Sequence, residues 1–153
     1  MKPPVPNLRH VCTIEAELGP IREMGEGRGG HRRIIPIIGG TVCGEIEGKV
    51  MNLGADWQLI YADGTAFLDT RYALETDDGV IIEVVNLGFR HGPPEVMERL
   101  ARGEAVPPTE YTMRTSARLE TGDSRYAWVN RTVFVSSGSR SANGVVIELY
   151  AVE

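Results

Sequence analysis

Three side chains suited to acid–base chemistry are predicted to lie in one row across three neighbouring strands. Asp63-Gly64 and Asp78-Gly79 each separate two strand-like runs. Asp-Gly is typical of two-residue hairpin loops, because such loops need positive φ angles. With these loops, Asp56 lies opposite Arg71, and Arg71 lies opposite Asn86. In such a row a carboxylate can move a proton while a guanidinium stabilises developing negative charge.

A second polar face is predicted on a hairpin formed by residues 109–121 and 126–136, with residues 122–124 in its loop. Its paired positions are Glu120 opposite Tyr126, Arg118 opposite Trp128 and Ser116 opposite Asn130, with Arg114 continuing the face. Carboxylate, guanidinium, aromatic and amide groups on one face are typical of a small-molecule pocket.

Together the two faces predict an enzyme that needs no cofactor or metal ion and that performs isomerisation, cyclisation or elimination on an aromatic or polyketide-like molecule. The predicted catalytic residues are Asp56, Arg71, Arg114 and Glu120, and the predicted substrate-binding residues are Trp57, Tyr72, Asn86, Tyr126, Trp128 and Asn130. Two arginines beside Asp56 would lower the pKa of that carboxyl, which favours Glu120 as the base.

Two other interpretations stay open at this point. The protein could bind a small ligand without converting it. Alternatively, the face with arginine and tryptophan side chains could be a contact between copies of the chain. A row of polar residues is also typical of the solvated face of a sheet. A cross-strand pair of opposite charges contributes only about 0.2–1 kcal/mol and needs no ligand to explain it.

Length and composition limit the class of protein. The chain has 153 residues with 18 glycines and 9 prolines, which predicts one domain over residues 1–153 built from many short strands. A net charge of −5 without a basic run argues against a nucleic-acid partner. No apolar run is long enough to span a bilayer. We therefore expect a cytoplasmic protein in which Cys12 and Cys43 are buried free thiols.

The strands that position these residues are predicted from alternation and turn signals. The predicted strands are Leu8–Leu18, 34–38, 41–51, 55–62, 65–76, 80–90, 109–121, 126–136 and 145–152, with Gly39-Gly40 ending the second and one short helix at 95–102. The face of the central meander opposite Asp56 is expected to be apolar: Trp57, Leu59, Leu68, Tyr72, Leu74, Val85 and Leu87. Sequential antiparallel strands favour a single closed barrel of about eight or nine strands. Residues 25–30 are glycine-rich and are interpreted as a flap over its mouth.

Several short motifs follow one another in an order that resembles the DUF3237 family, also called UPF0311. They are Ile37-Ile38-Gly39-Gly40-Thr41-Val42-Cys43-Gly44, Ala55-Asp56-Trp57, Leu68-Asp69-Thr70-Arg71-Tyr72, Thr76-Asp77-Asp78-Gly79, Tyr111-Thr112-Met113-Arg114-Thr115, Glu120-Thr121 and Tyr126-Ala127-Trp128-Val129-Asn130. The resemblance implies a small closed antiparallel β-barrel, broadly like allene oxide cyclase and other calycin-like barrels. It implies no catalytic role for any residue. Met113 departs from the aromatic residue expected there, which would alter the shape of the pocket.

Overall fold

The computed structural model describes all 153 residues and contains ten strands and two short helices. The elements are β1 Leu8–Leu18, β2 Arg22–Glu26, β3 His31–Gly44, β4 Gly48–Val50, β5 Gly54–Ile60, β6 Ala66–Thr76, β7 Ile81–His91, α1 Pro94–Ala101, β8 Thr112–Glu120, a 3₁₀ helix Ser124–Arg131, β9 Val133–Arg140 and β10 Gly144–Val152. No helix has the length and apolar character needed to cross a membrane.

The sheet closes on itself because β1 pairs with both β10 and β3. The order around the barrel is β1, β10, β9, β8, β7, β6, then β4 and β5 end to end in one position, and β3. These are eight antiparallel positions, so the predicted closed barrel is confirmed. The short β2 lies outside the barrel as a hairpin partner of β3, and its turn contains the glycine-rich residues.

Both central hairpins have three-residue loops where the sequence predicted two-residue loops. The Tyr61 amide donates to the Thr65 carbonyl, and the Thr76 amide donates to the Val80 carbonyl. The glycines keep the predicted positive φ, 85° at Gly64 and 86° at Gly79, but each now ends a longer loop. The strands themselves lie where they were predicted, and every pairing across them shifts by one residue.

This shift corrects which residues face one another and which face the core. Asp56 pairs with Thr70, and Thr70 pairs with Asn86, so the row keeps two of its three predicted members. Arg71 pairs with Ala55 and Val85 on the exposed outer face. Tyr72, Leu68 and Leu74 are buried on the same inner face as Asp56, whereas Trp57 and Leu87 are exposed.

One strand assignment near the N-terminus is also corrected. Gly39-Gly40 does not end a strand, because β3 continues through it to Gly44. At Gly40 a Cβ would lie 2.0 Å from the Glu15 carbonyl oxygen, so glycine allows β1 and β3 to approach. In β1 a bulge follows His10, so that Val11 and Cys12 are both buried while His10 is exposed. Cys12 and Cys43 are free thiols, but Cys43 is exposed.

The predicted second hairpin is wrong in its second half. Residues 124–131 form the 3₁₀ helix, which begins after Asp123, whose side chain accepts the Arg125 amide. The strand that pairs with β8 begins only at Val133, so Ser116 pairs with Val135 and Arg114 with Ser137. The pairs predicted for Tyr126, Trp128 and Asn130 therefore do not form.

The short helix was predicted correctly. It occupies Pro94–Ala101, with Pro at its start, Glu95 in the first turn and Arg99 in the last. These features match the charge and turn preferences of helix ends. Val96 and Leu100 are buried in the same hydrophobic cluster as the barrel interior. The helix thus connects β7 to β8 and packs on the core at the end of the barrel where Arg90 lies.

Candidate functional site

One end of the barrel interior holds a cavity with polar side chains on several strands. It is lined by Ala16, Leu18, Ile35, Ile37, Asp56, Gln58, Leu68, Thr70, Tyr72, Asn86, Arg90, Met113, Thr115, Arg140, Val145 and Ile147. These residues come from β1, β3 and β5 to β10, so only the closed barrel brings them together. The cavity volume is about 50 Å³. That is room for roughly four waters at about 10–15 Å³ each.

Asp56 is the carboxylate of this cavity, and it is 9% exposed. Its Oδ1 accepts the Asp69 backbone amide at 3.0 Å, and its Oδ2 accepts Gln58 Nε2 at 2.9 Å. Burial raises the pKa of Asp56. The two hydrogen bonds, a further one from the Thr70 side chain and the positive charge of Arg90 lower it again, but only in part. A buried carboxyl with a raised pKa is better suited to take up and release a proton near neutral pH.

A directed chain of hydrogen bonds ends on this carboxylate. Arg33 Nε donates to Gln58 Oε1 at 2.8 Å, and Gln58 then donates through Nε2 to Asp56. Because a guanidinium can only donate, Arg33 fixes which end of the Gln58 amide faces Asp56. Asp56 is therefore an acceptor toward Gln58.

Three arginines converge on the same end of the barrel. Arg90 and Arg140 line the cavity, and Arg33 reaches it through Gln58. Burial lowers the pKa of all three. The pKa of Arg90 falls to about 10. Burial is the largest cause, and the positive charges of Arg140 and Arg33 lower the pKa further. Arg90 is 5% exposed.

Three buried polar atoms of cavity residues have no hydrogen-bond partner within the protein. They are the Tyr72 hydroxyl, Asn86 Oδ1 and Arg90 Nε. Buried polar groups in proteins are nearly always paired, since an unpaired one costs about 1–3 kcal/mol. Burial also raises the pKa of Tyr72, so its hydroxyl stays protonated and able to donate. Three such atoms around one cavity are typical of a site that a ligand completes.

Of the ten predicted site residues, the structure brings three into this cavity: Asp56, Tyr72 and Asn86. Three others lie on the outer face of the sheet. Arg71 and Arg114 are exposed, and Arg114 Nη1 donates to the Met113 carbonyl. Trp57 is 47% exposed and shares this outer face with the exposed Leu87 and Phe89. Exposed apolar side chains in one area are typical of contact surfaces between proteins.

The remaining four predicted residues lie at the opposite end of the barrel. Glu120 is exposed and pairs with Glu83. The Tyr126 hydroxyl donates to Asp78 Oδ1 at 2.9 Å, and the Asn130 side chain bonds the Thr121 backbone in both directions. Trp128 packs on Phe134, with the Arg9 guanidinium 5.8 Å from its ring centre. These contacts hold the 3₁₀ helix against the barrel.

The sequence interpretation missed Arg90, Arg140, Thr70 and Thr115 as members of one site. Alternation along β7 indicates that Arg90 lies on the buried side of that strand. Ile82, Val84, Asn86 and Arg90 share one face, so a charged residue continues an otherwise buried side of the strand. Arg140 continues the face of Phe134 and Ser136 in the same way. Without the correct register, neither face could be assigned to the interior.

Comparison with known proteins gives a family without an assigned activity. The model of a family described as "Protein of unknown function (DUF3237)" matches residues 6–152. A relative from Bradyrhizobium diazoefficiens, called UPF0311 protein blr7842, is 44% identical over 149 residues, which cover 97% of this chain and 98% of the relative.

Solved structures share the fold over the full chain. A conserved protein of unknown function from Rhodopseudomonas palustris is 42% identical with a TM-score of 0.93, over 99% of this chain and 100% of that one. A beta-barrel like protein from Acinetobacter baumannii is 39% identical with a TM-score of 0.88, over 99% of each chain. A protein from Penicillium herquei described as an enzyme has a TM-score of 0.75 at 20% identity, over 100% of this chain and 98% of its own, which is a likeness of fold.

Proposed function

The chain belongs to the DUF3237 family, whose function is unknown, and from the side chains of its cavity we propose that it is a cofactor-independent isomerase, cyclase or lyase of a small molecule. The observation that carries the proposal is the cluster of an acid–base group and unpartnered polar atoms around one cavity. The protein from Penicillium herquei that shares this fold is described as an enzyme.

Asp56 is the proposed proton-transfer group. It replaces Glu120, which the sequence favoured but which is exposed at the other end of the barrel. The sequence interpretation expected neighbouring arginines to lower the pKa of Asp56, whereas burial outweighs them and raises it. In this role Asp56 removes a proton from carbon beside a carbonyl group and returns it elsewhere on the substrate.

Arg90 and Tyr72 are proposed to stabilise the charge that forms when this proton leaves. The Arg90 guanidinium is buried, charged and lacks a partner at Nε, so it can donate to an enolate oxygen without prior rearrangement of water. The Tyr72 hydroxyl can donate to the same or a second oxygen, and Asn86 Oδ1 can accept from a substrate hydroxyl. The cavity is small and Tyr72 is the one aromatic residue that lines it, which favours a compact aliphatic substrate over the aromatic molecule that the sequence suggested.

A second candidate is a barrel that binds a small ligand without converting it. Both oxygens of Asp56 accept a hydrogen bond, and these bonds stabilise the ionised carboxylate and so weaken it as a base, which is the observation that favours this alternative. The two candidates predict the same binding site. They differ only in whether a carbon–hydrogen or carbon–carbon bond of the bound molecule is broken or formed.

The test is hydrogen–deuterium exchange catalysed by the whole chain. The protein is incubated in deuterated buffer with short ketones, 2-oxo acids and 3-oxo acids, and loss of carbon-bound hydrogen is followed by NMR. At least one compound should exchange faster than in buffer. Asp56→Asn should lower that rate by about 10²–10⁴-fold, the usual contribution of a general base.

Asp69→Asn is the matched control, because the Asp69 side chain is exposed on the adjacent strand and only its backbone contacts Asp56. This variant should exchange at the rate of the unmodified protein. Saturable binding of a compound that is recovered without exchange would support the binding protein and contradict the enzyme. Equal exchange rates in the Asp56 and Asp69 variants would contradict the proposal that Asp56 is the base.

A further inference from the structure

We infer that the ligand of this cavity is a short aliphatic carboxylate, held by the guanidinium groups of Arg90 and Arg140. The inference rests on the proposed function in that both use the same cavity, but it concerns the charge of the ligand and not the reaction. The evidence is positive charge, buried at Arg90 and partly buried at Arg33 and Arg140, that no ion pair within the protein neutralises.

None of the three arginines at this end of the barrel has an ionic partner, although four arginines elsewhere in the chain do. Arg9, Arg99, Arg102 and Arg125 on the surface each form ion pairs with carboxylates. Arg33, Arg90 and Arg140 form none, although burial makes an unpaired charge far more costly for them. Such an arrangement is retained when a ligand supplies the missing negative charge.

Asp56 does not supply the missing negative charge for all three arginines. It is the one carboxylate whose charge acts on each of these arginines, yet it forms no ion pair with any of them, and it accepts Gln58 and the Asp69 amide instead. Glu23 also acts on Arg33, but among the charged residues that line the cavity Arg90 and Arg140 outnumber Asp56 and leave it positive even when Asp56 is ionised. A monoanion can therefore enter without leaving the cavity negative.

Of the three arginines, Arg90 and Arg140 are the ones available to a ligand in the cavity. Arg33 does not line it and is engaged with Gln58. Arg90 and Arg140 line it, and the positive charge of Arg140 lowers the pKa of Arg90, so the two groups act on one another. A carboxylate between them removes that repulsion and can accept paired N–H donors.

The rest of the cavity selects the body of the ligand. Its other walls include Leu18, Ile37, Leu68, Val145 and Ile147. Aliphatic side chains match a hydrocarbon skeleton, which an organic carboxylate carries and inorganic phosphate lacks. The small volume limits that skeleton to a few carbons. These features favour a carboxylate over inorganic phosphate as the anion.

Calorimetric titration with butyrate and butyramide tests the inference, since the two have the same shape and differ in charge. Butyrate should bind about tenfold or more tightly than butyramide, as expected for charge-assisted hydrogen bonds. Arg90→Gln and Arg140→Gln should each weaken butyrate binding about tenfold. Arg118→Gln, on the exposed face of β8, is the matched control and should bind as the unmodified protein does.

Inorganic phosphate provides the competing anion, and the folded state of each variant is verified by circular dichroism. Equal affinity for butyrate and butyramide, or no butyrate binding to folded protein, overturns the inference. So does tighter binding of phosphate than of butyrate. If the Arg90 variant does not fold, Arg140→Gln, which changes a less buried side chain, decides the outcome. Butyrate binding that persists while hydrogen exchange fails leaves this inference standing and contradicts only the proposed reaction.

Discussion

The two ends of the barrel interior differ in how well they are packed and paired. At the end near the N-terminus, large apolar side chains such as Ile46, Leu119 and Phe134 are completely buried. At the other end, Asp56, Arg90 and Asn86 are buried around a cavity with unpartnered polar atoms. One end therefore stabilises the fold, and the other retains uncompensated polar groups that a stable fold alone does not require.

The largest expected difference between the two ends appears when the same leucine truncation is made in each. Leu119→Ala, in the packed end, should lower the free energy of unfolding by about 4–5 kcal/mol, because it leaves a new void. Leu68→Ala, beside the existing cavity, should cost only about 2–3 kcal/mol, because fewer contacts are lost. Urea denaturation measures both. Equal losses would contradict the contrast in packing.

Replacing Arg90 should stabilise the protein in the absence of an anion. Arg90→Met removes a buried charge without an ion pair and keeps most of the side-chain volume. We expect a gain of about 1–4 kcal/mol, by analogy with buried ionic groups replaced by apolar ones. Thermal unfolding in buffer free of carboxylates measures it. A large loss of stability would mean that Arg90 has a structural role and would weaken the distinction between the two ends.

The raised pKa of Asp56 should make the stability of the polar end depend on pH. Since the folded pKa of Asp56 is raised, its contribution to stability is fully present below the pKa of an ordinary carboxyl and is lost as pH rises through the folded pKa. Asp56→Asn removes this loss. The difference in unfolding free energy between the unmodified protein and this variant should therefore shift in favour of the variant as pH rises from acid to neutral.

Asp123, whose pKa is lowered to about 2 by Arg125 and which lies far from the cavity, gives the opposite sign and serves as the control. Asp123→Asn should cost stability at neutral pH and lose that effect in strong acid. A pH-independent difference for Asp56→Asn would contradict the raised pKa.

The smallest effect is expected on the outer face. Arg71→Gln changes an exposed side chain without an ion pair, so the free energy of unfolding should stay within about 0.5 kcal/mol. Chemical denaturation measures it. A loss of more than about 1 kcal/mol would show that Arg71 has contacts beyond a solvated surface position, and the register that places it outside would need revision.

Much of the fold could be predicted from local patterns, and little of the site could. The strands β1, β6, β7 and β10 and the helix α1 lie within a residue or two of their predicted bounds, because alternation and turn residues are local signals. The site depends on which face of each strand turns inward, and one extra residue in two loops reverses that assignment. Asp56 and Asn86 remained in one row because both loops shifted in the same direction.

The sequence by itself determined that this chain forms a closed antiparallel barrel with a meander around Asp63-Gly64 and Asp78-Gly79, and that Asp56 and Asn86 lie in one row. Only the tertiary structure decided that Arg90 and Arg140 join them while Arg71 and Glu120 do not. The physical reason is that strand alternation leaves two equivalent faces, and barrel closure with its exact loop lengths selects the face that is buried. Closure also brings together arginines from β3, β7 and β9, which no local pattern connects.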